Sequence, residues 1–224
     1  MSKIRSWTGI RLIFDDYFDS EVDQDLTAAG WTKINGSAAI REDGSGKAYS
    51  NSAGASPNNI CVYTPDGVIV GNVSGNYHWL SCDVVLCAHN GVYLEIYHSV
   101  RYAAGRRTAV WVEVLRNQTT GVWTFNWNTE YSAGGVTSTA IGTVSEGKNP
   151  PPYTVLIRRH DILYDIDIGP GPLVGGDGLI SLNDAAGTSF TYLGKPGLGY
   201  IGPAFGLGGH EAEWAKFIVR KYSK

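Results

Sequence analysis

The chain has 224 residues, a formal net charge of -3 at pH 7, 43% hydrophobic residues and 17% charged residues. This much apolar sequence with so little net charge excludes an intrinsically disordered chain, and the slight acidic excess argues against a dedicated nucleic-acid-binding protein. The 29 glycines and 12% aromatic residues are unlike a helical bundle. We therefore expect a folded chain rich in β-structure.

The first residues lack the apolar run and small-residue cleavage site of a secretory signal, and no apolar stretch is long enough to span a membrane. We expect a protein made in the cytoplasm, without a membrane partner, and divide it into an N-terminal arm, 1–13, and a single domain, 14–224.

Basic residues gather at both chain ends, so we expect the two ends to form one patch that docks a larger assembly or a sister subunit. The alternative is a solvated face with a loose arm. The predicted assembly contacts are Ile4, Arg5, Trp7 and Arg11.

Helical signals are scarce. Residues 20–29 fit one or two helical turns, which Ser20 would cap and Gly30 would end.

The cysteines are three in number and lack metal-ligand spacing, so we expect reduced core thiols at Cys61, Cys82 and Cys87. If 82 and 87 share a strand, they face opposite sides of it.

Most elements are period-2 runs bounded by Gly, Asn, Asp and Pro, which is typical of antiparallel strands. Residues 78–87 and 92–98 each alternate apolar and polar side chains, and Asn90-Gly91 between them predicts a hairpin. Residues 153–157 and 162–168 predict a further pair, and residues 214–222 predict a C-terminal strand.

The clearest hairpin covers residues 109–128, with a four-residue turn at 117–120. This turn would place Val110, Val112 and Val114 opposite Trp127, Phe125 and Trp123 respectively. Such β-branched and aromatic pairs would form one buried face. Trp111 and Glu113 would then lie on the other face.

If strands 78–87, 92–98 and 109–116 lie side by side, their faces away from the core bring aromatic rings beside carboxylates. Rings stack on the CH face of a sugar, and carboxylates bond to its hydroxyl groups, so we predict a carbohydrate site here. Half-buried aromatics serving ordinary packing or a subunit contact are the alternative. The predicted site comprises Trp79, Asp83, Tyr93, Glu95, Tyr97, Trp111 and Glu113.

The sequence contains no strong motif for a cofactor or for a catalytic site. No metal-ligand spacing occurs, so we expect no metal or cofactor, although Asp177, Asn183 and Asp184 could supply oxygens to calcium at a loop end. Neighbouring strands would hold two carboxylates at a distance that suits glycoside hydrolysis. The five histidines are scattered and form no recognisable catalytic group.

Three segments together resemble the concanavalin A-like, or laminin-G-like, lectin and glucanase sandwiches. They are Phe14–Phe18 followed by Gly30–Ile40, the hairpin Val155–Asp167, and Gly199–Gly206 followed by the last strand. The resemblance covers nearly the whole chain and implies an all-β antiparallel sandwich of jelly-roll type. The family's laminarinase-type hydrolases carry their acids as Glu-x-Asp-x-x-Glu, a run this sequence lacks.

The resemblance therefore implies a non-enzymatic structural or binding module with a lectin-like face. A stand-alone sandwich without an export signal looks like the accessory proteins of bacteriophage particles, in capsid decoration or tail adhesion. We accordingly expect a virion location, viral capsid or tail proteins as partners, a homo-oligomer, and a cell-surface glycan as ligand. The alternatives are a glycan-active hydrolase of the laminarinase-like class and a bacterial lectin.

Overall fold

The computed structural model describes residues 10–51, 59–70, 77–103, 106–130, 135–160, 163–169, 179–183, 194–203 and 209–222. These ranges contain sixteen strands and one short 3₁₀ helix, Leu26–Ala29. The strands are β1 Ile10–Asp16, β2 Asp23–Asp25, β3 Trp31–Gly36, β4 Ala39–Asp43, β5 Ala48–Asn51, β6 Asn59–Pro65, β7 Tyr77–Cys87, β8 Tyr93–Ala103, β9 Arg106–Asn117, β10 Val122–Glu130, β11 Val136–Ser145, β12 Tyr153–His160, β13 Leu163–Gly169, β14 Leu179–Asn183, β15 Lys195–Gly202 and β16 Ala212–Tyr222.

The strands form two sheets, and every pairing between the described strands is antiparallel. The nine-stranded sheet has the order β14-β13-β12-β7-β16-β5-β4-β2, with β1 also paired to β16. The seven-stranded sheet has the order β11-β10-β9-β8-β15-β6-β3. Side chains from both sheets meet in one large apolar core. The predicted antiparallel β-sandwich is thus confirmed.

Alternation along each strand decides which side chains enter this core. Leu94 and Ile96 of β8 lie in the core, as do Val112 of β9 and Val155 and Ile157 of β12. Their sequence neighbours therefore point to the opposite side of the same sheet, which we call its outer face.

The predicted hairpin around Asn90 and Gly91 is wrong. Strand β7 pairs with β12 and β16 in one sheet, whereas β8 pairs with β9 and β15 in the other. The turn instead carries the chain across the sandwich, with Gly91 at a positive φ of 84°. Two strands that alternate apolar and polar side chains can bury their apolar faces as neighbours in one sheet or as members of two facing sheets. Alternation alone therefore does not distinguish these two arrangements.

The hairpin of β9 and β10 forms with the predicted faces but with a register shifted by two residues. Phe125 lies opposite Val114, and Trp127 lies opposite Val112. The four-residue loop begins one residue later than predicted because Asn117 remains in β9. Its Oδ1 atom accepts hydrogen bonds from the backbone N–H groups of Thr119 and Thr120, each at 3.0 Å. All six predicted side chains are buried in the core: Val110, Val112, Val114, Trp123, Phe125 and Trp127.

The remaining elements agree with the sequence patterns in outline. Strands β12 and β13 pair from Thr154–Gly169 to His160–Leu163, a longer hairpin than predicted, and β16 contains the whole predicted C-terminal strand. All three cysteines are unbonded and buried. Cys82 and Cys87 nevertheless both lie in the core, because β7 and β16 shift register between them.

Two predictions near the N-terminus need correction. The helical segment is only the 3₁₀ helix, capped by Asp25 rather than Ser20, although it ends at Gly30 as predicted. The boundary between arm and domain does not fall after residue 13, because β1 begins at Ile10 and pairs with β16. In that pairing Arg11 lies opposite Lys221, so the basic segments of the two chain ends are adjacent. Ile4, Arg5 and Trp7 lie outside the described residues.

Among the described residues, no helix is long and apolar enough to cross a membrane.

Candidate functional site

The residues predicted to share one face lie on two different sheets. Trp79 and Asp83 belong to β7 in the nine-stranded sheet, because β7 does not pair with β8. There the Arg220 guanidinium lies 4.8 Å from the centroid of the Trp79 ring. Asp83 accepts a 2.6 Å hydrogen bond from the Thr154 hydroxyl. The seven-residue site is therefore wrong as a single constellation.

The other five predicted residues do share a face. They lie on the outer face of the seven-stranded sheet: Tyr93, Glu95, Tyr97, Trp111 and Glu113. Glu95 lies directly opposite Glu113, and Tyr97 lies directly opposite Trp111. This face carries its own apolar cluster, separate from the core and here called the outer cluster. It consists of Val62, Tyr97, Val100, Ala109 and Trp111, with Ile34 and Tyr102 packed against it.

Two of these five residues, Glu95 and Tyr97, are buried within an ionic network. The Tyr97 hydroxyl donates a 2.5 Å hydrogen bond to Glu95 and accepts one of 2.5 Å from Arg107. Arg107 also forms ion pairs with Glu95, at 3.4 Å, and with Glu130. Glu95 is only 1% exposed. Burial raises the pKa of Glu95, against the opposing effects of the Arg107 charge and the Tyr97 hydrogen bond.

The same arginine covers the tryptophan ring. The Arg107 guanidinium lies 4.4 Å from the centroid of the Trp111 ring, within cation-π distance. Trp111 is 2% exposed. It therefore supports the face from beneath and does not offer an open ring to a sugar. Tyr93, Glu113 and Tyr102 are half-buried.

Gly199 of β15 makes this packing possible. A Cβ atom at this position would lie 2.7 Å from Glu95 Oε2 and 2.7 Å from Tyr97 Cε2. These distances are well inside van der Waals contact, so any larger residue would displace the network. The glycine therefore allows β15 to lie directly beneath the buried carboxylate and phenol.

Two donors on this face lack hydrogen-bond partners. They are the indole Nε1 of Trp111 and the amide Nδ2 of Asn128, both buried. Asn128 lies directly opposite Trp111 in the β9–β10 pairing. Two residue pairs further along, the Asn126 amide donates a 3.3 Å hydrogen bond to Glu113. The face thus combines amide and indole donors with a carboxylate acceptor.

A cavity of about 390 Å³ opens beside the outer cluster. Val100, Ile34 and Tyr102 belong both to its lining and to the cluster. The other described lining residues are Ile69, Arg101, Gly194 and Lys195. This volume is in the range of small-molecule sites.

Sequence reasoning missed several residues of this face. Extending the β9 alternation by two residues would have placed Arg107 beside Ala109 and Trp111, and the β10 alternation also marks Asn126 and Asn128. No pattern marked Tyr102, because β8 changes register between Tyr97 and Ser99 relative to β9. This irregularity reverses the alternation along the rest of the strand.

No group of three or more potential metal ligands occurs among the described residues. Of the three oxygen donors considered for calcium, Asn183 ends β14. Asp177 and Asp184 lie outside the described residues.

Comparisons with known proteins agree on the fold. A scan of protein-family models finds no match, and a search of curated proteins finds none either. Among solved structures, an endo-1,3-beta-glucanase from Streptomyces sioyaensis aligns over 100% of both chains, with a TM-score of 0.62 and 12% identity. The CBM2 module of an evolved Dit from Lactobacillus casei BL23 phage J-1 aligns over 96% of this chain and 97% of its own, with a TM-score of 0.59 and 14% identity.

A third structure is described as an immunostimulatory antigen and pseudo beta-1,3-glucanase of Mycobacterium tuberculosis. It aligns over 95% of this chain and 99% of its own, with a TM-score of 0.57 and 12% identity. The chain therefore has the concanavalin A-like jelly-roll fold of the glucanase sandwiches. At such identities the likeness establishes the fold and leaves the function to the residues of the site.

Proposed function

We propose that this protein is a non-enzymatic carbohydrate-binding module that uses the outer face of the seven-stranded sheet. The observation that carries the proposal is the outer cluster with its adjoining cavity. The half-buried rings of Tyr93 and Tyr102, amide donors and a carboxylate acceptor share this face, which does not meet the other sheet. Such combinations suit sugars, which present CH faces and hydroxyl groups side by side.

The arrangement of the carboxylates supports binding rather than hydrolysis. Glycoside hydrolysis needs two carboxyl groups that both reach the scissile bond. Glu95 and Glu113 are neighbours in register, but Glu95 is enclosed and bound to Arg107 and Tyr97. On β8 the run from Glu95 to Val100 begins like Glu-x-Asp-x-x-Glu, with Tyr97 and Val100 at its other two positions. Glu130 on the same face is ion-paired with Arg107, so Glu113 is the half-buried carboxylate suited to accept a hydrogen bond from a ligand.

The biological setting we propose is a bacteriophage particle, where this module decorates the capsid or belongs to the tail. Two considerations support this setting. A phage carbohydrate-binding module is among the structures of the same fold, and an adhesion module needs a sugar-binding face without catalysis. Viral capsid or tail proteins and further copies of this chain are the proposed partners. A bacterial lectin is the alternative setting for the same face.

Binding to immobilised β-glucans, galactans and peptidoglycan fragments tests the function. We expect the protein to retain at least one of these glycans and to release no reducing sugar after long incubation. Tyr93→Ala and Asn126→Ala should weaken retention, because both change the accessible part of the outer face. Trp79→Ala is the matched control on the other sheet and should bind like the wild type.

Two results would contradict the proposal. Failure to bind any glycan of the panel would remove the carbohydrate-binding function. Cleavage that disappears in Glu113→Gln would establish the hydrolase alternative instead.

A further inference from the structure

The polar side chains of the described residues that line the cavity beside the outer cluster are hydrogen-bond donors or cations. Among the residues of the lining, Tyr102 carries a hydroxyl, Lys195 an ammonium group and Arg101 a guanidinium group. No carboxylate is among the described residues of the lining. The remaining side chains, those of Ile34, Ile69 and Val100, are apolar.

The hydroxyl of Tyr102 is set up as a donor. It accepts a 2.9 Å hydrogen bond from the Asn35 amide, which leaves its own proton to donate. Burial raises the pKa of Tyr102, which keeps that proton in place near neutral pH. Lys195 is half-buried and forms no ion pair with the described residues, so its three N–H donors are directed by no carboxylate.

Two carboxylates of the outer face stand away from the cavity. Glu95 and Glu113 stand near the start of β8, whereas Arg101 and Tyr102 stand near its end. Six residues of extended strand separate Glu95 from Arg101, a distance of about 20 Å. At the cavity end of the face Glu130 is ion-paired with Arg107, which leaves Lys195 as a positive charge of the lining that no described carboxylate neutralises.

We propose that this cavity binds a negatively charged sugar unit, with its anionic group on Lys195 and Tyr102 and its CH face on Ile34 and Val100. This inference rests on the proposed carbohydrate-binding function and names the ligand class for one part of the same face. Charge complementarity carries it, because each polar side chain among the described lining residues can donate a hydrogen bond or carries a positive charge.

The test compares oligogalacturonate with its methyl ester, which is the same sugar without charge, by titration calorimetry. Glucose 6-phosphate provides a phosphate in place of the carboxylate. We expect the wild type to bind oligogalacturonate or the sugar phosphate at least about tenfold more tightly than the ester, as charged hydrogen bonds of this kind imply. The better of the two ligands identifies the anionic group.

Variants locate the binding. Lys195→Gln and Tyr102→Phe should each weaken binding of the charged ligand by about fivefold or more, with little effect on the ester. Lys148→Gln removes a lysine from the exposed β11–β12 loop and is the matched control for charge. Thermal unfolding should be unchanged in all three variants.

Equal affinity for the charged sugar and its ester would overturn this inference, as would a wild-type response in Lys195→Gln. Either result leaves the proposed function standing if neutral glycans still bind to the outer face. Absence of binding to every charged and neutral glycan would overturn the proposed function itself.

Discussion

Arg107 is the residue on which the outer face depends most. It holds Glu95 and Glu130 by ion pairs, donates to Tyr97 and covers the ring of Trp111. Its loss would leave the Glu95 carboxylate buried without its counter-charge. Leaving a buried charge unpaired costs much more than the net contribution of an exposed pair.

We therefore expect Arg107→Ala to lower the free energy of unfolding by about 3–5 kcal/mol, measured by urea denaturation. Arg41→Ala is the control, because it removes an exposed ion pair with Asp23 and should cost under about 1 kcal/mol. Similar losses in the two variants would contradict the description of the network as buried and interdependent.

Two histidines on the inner side of the sheets make stability depend on pH. Burial, with smaller effects from Lys221 and Arg159, lowers the pKa of His78 from 6.5 to about 4. Burial also lowers the pKa of His98, whose ring nitrogens have no partner in the described structure. As the pH falls below 6.5, the unfolded chain takes up protons at these positions before the folded chain does. Their contribution is thus complete above pH 6.5 and falls with the pH below it, that of His78 being lost by about pH 4.

From His78 alone we expect the free energy of unfolding to fall by about 2 kcal/mol between pH 8 and pH 5. His78→Gln cannot take up this proton, so its stability should fall less over the same range, as measured by urea midpoints at each pH. An acid dependence identical to that of the wild type would contradict the assignment.

At the scale of elements, the β9–β10 hairpin anchors one end of the core. Phe125 packs edge-on against Tyr153 at 5.9 Å between ring centroids, and Trp127 contacts Tyr164 at 4.8 Å. Both contacts join the seven-stranded sheet to the nine-stranded sheet, since β12 and β13 carry the two tyrosines. The hairpin therefore fixes the two sheets to each other.

Truncating Phe125 or Trp127 to Ala should lower the free energy of unfolding by about 3–5 kcal/mol, because each leaves a cavity between the sheets. Thr124→Ala, on the outer face of the same strand, should change stability by less than about 1 kcal/mol. Denaturant unfolding measures both, and a Thr124 effect as large as that of Phe125 would mean that the faces of β10 are assigned wrongly.

The sequence predicted which side of a strand each residue faces better than it predicted which strands pair with each other. Alternation correctly separated Val112 and Phe125 from Trp111 and Glu113, because side-chain direction is a local property of a strand. It could not place β7 and β8 in different sheets, since that choice depends on contacts distant in sequence. Nor could it locate the irregularity after Tyr97, which brings Tyr102 to the outer face beside Val100.

At the scale of the whole molecule, the first and last described strands lie side by side. Strand β1 pairs with β16, and Arg11 and Lys221 are opposite each other and exposed. Ile10 and Leu12 of β1 are also exposed, at 50% and 46%. An exposed strand with apolar and basic side chains is suited to contact another protein surface.

A protein lacking residues 1–9 retains β1 and should stay folded. We expect it to lose self-association or binding to phage particles, and we expect salt to weaken that binding in the full-length protein. Sedimentation velocity at low and high salt measures self-association, and co-sedimentation measures particle binding. Association that is unchanged by the truncation would contradict a docking role for the arm residues Ile4, Arg5 and Trp7.

The most direct measurement of the central claim follows the indole N–H resonances of the seven tryptophans in a ¹⁵N-labelled protein. The protein is titrated with the oligosaccharide that binds most tightly in the glycan panel. We expect the Trp111 resonance to move, because this buried indole N–H lies directly beneath the binding face and its shift responds to a ligand placed there. Trp214 in the core and Trp79 on the other sheet should stay in place. Movement of the Trp79 resonance with Trp111 unchanged would place the sugar on the nine-stranded sheet and contradict the account.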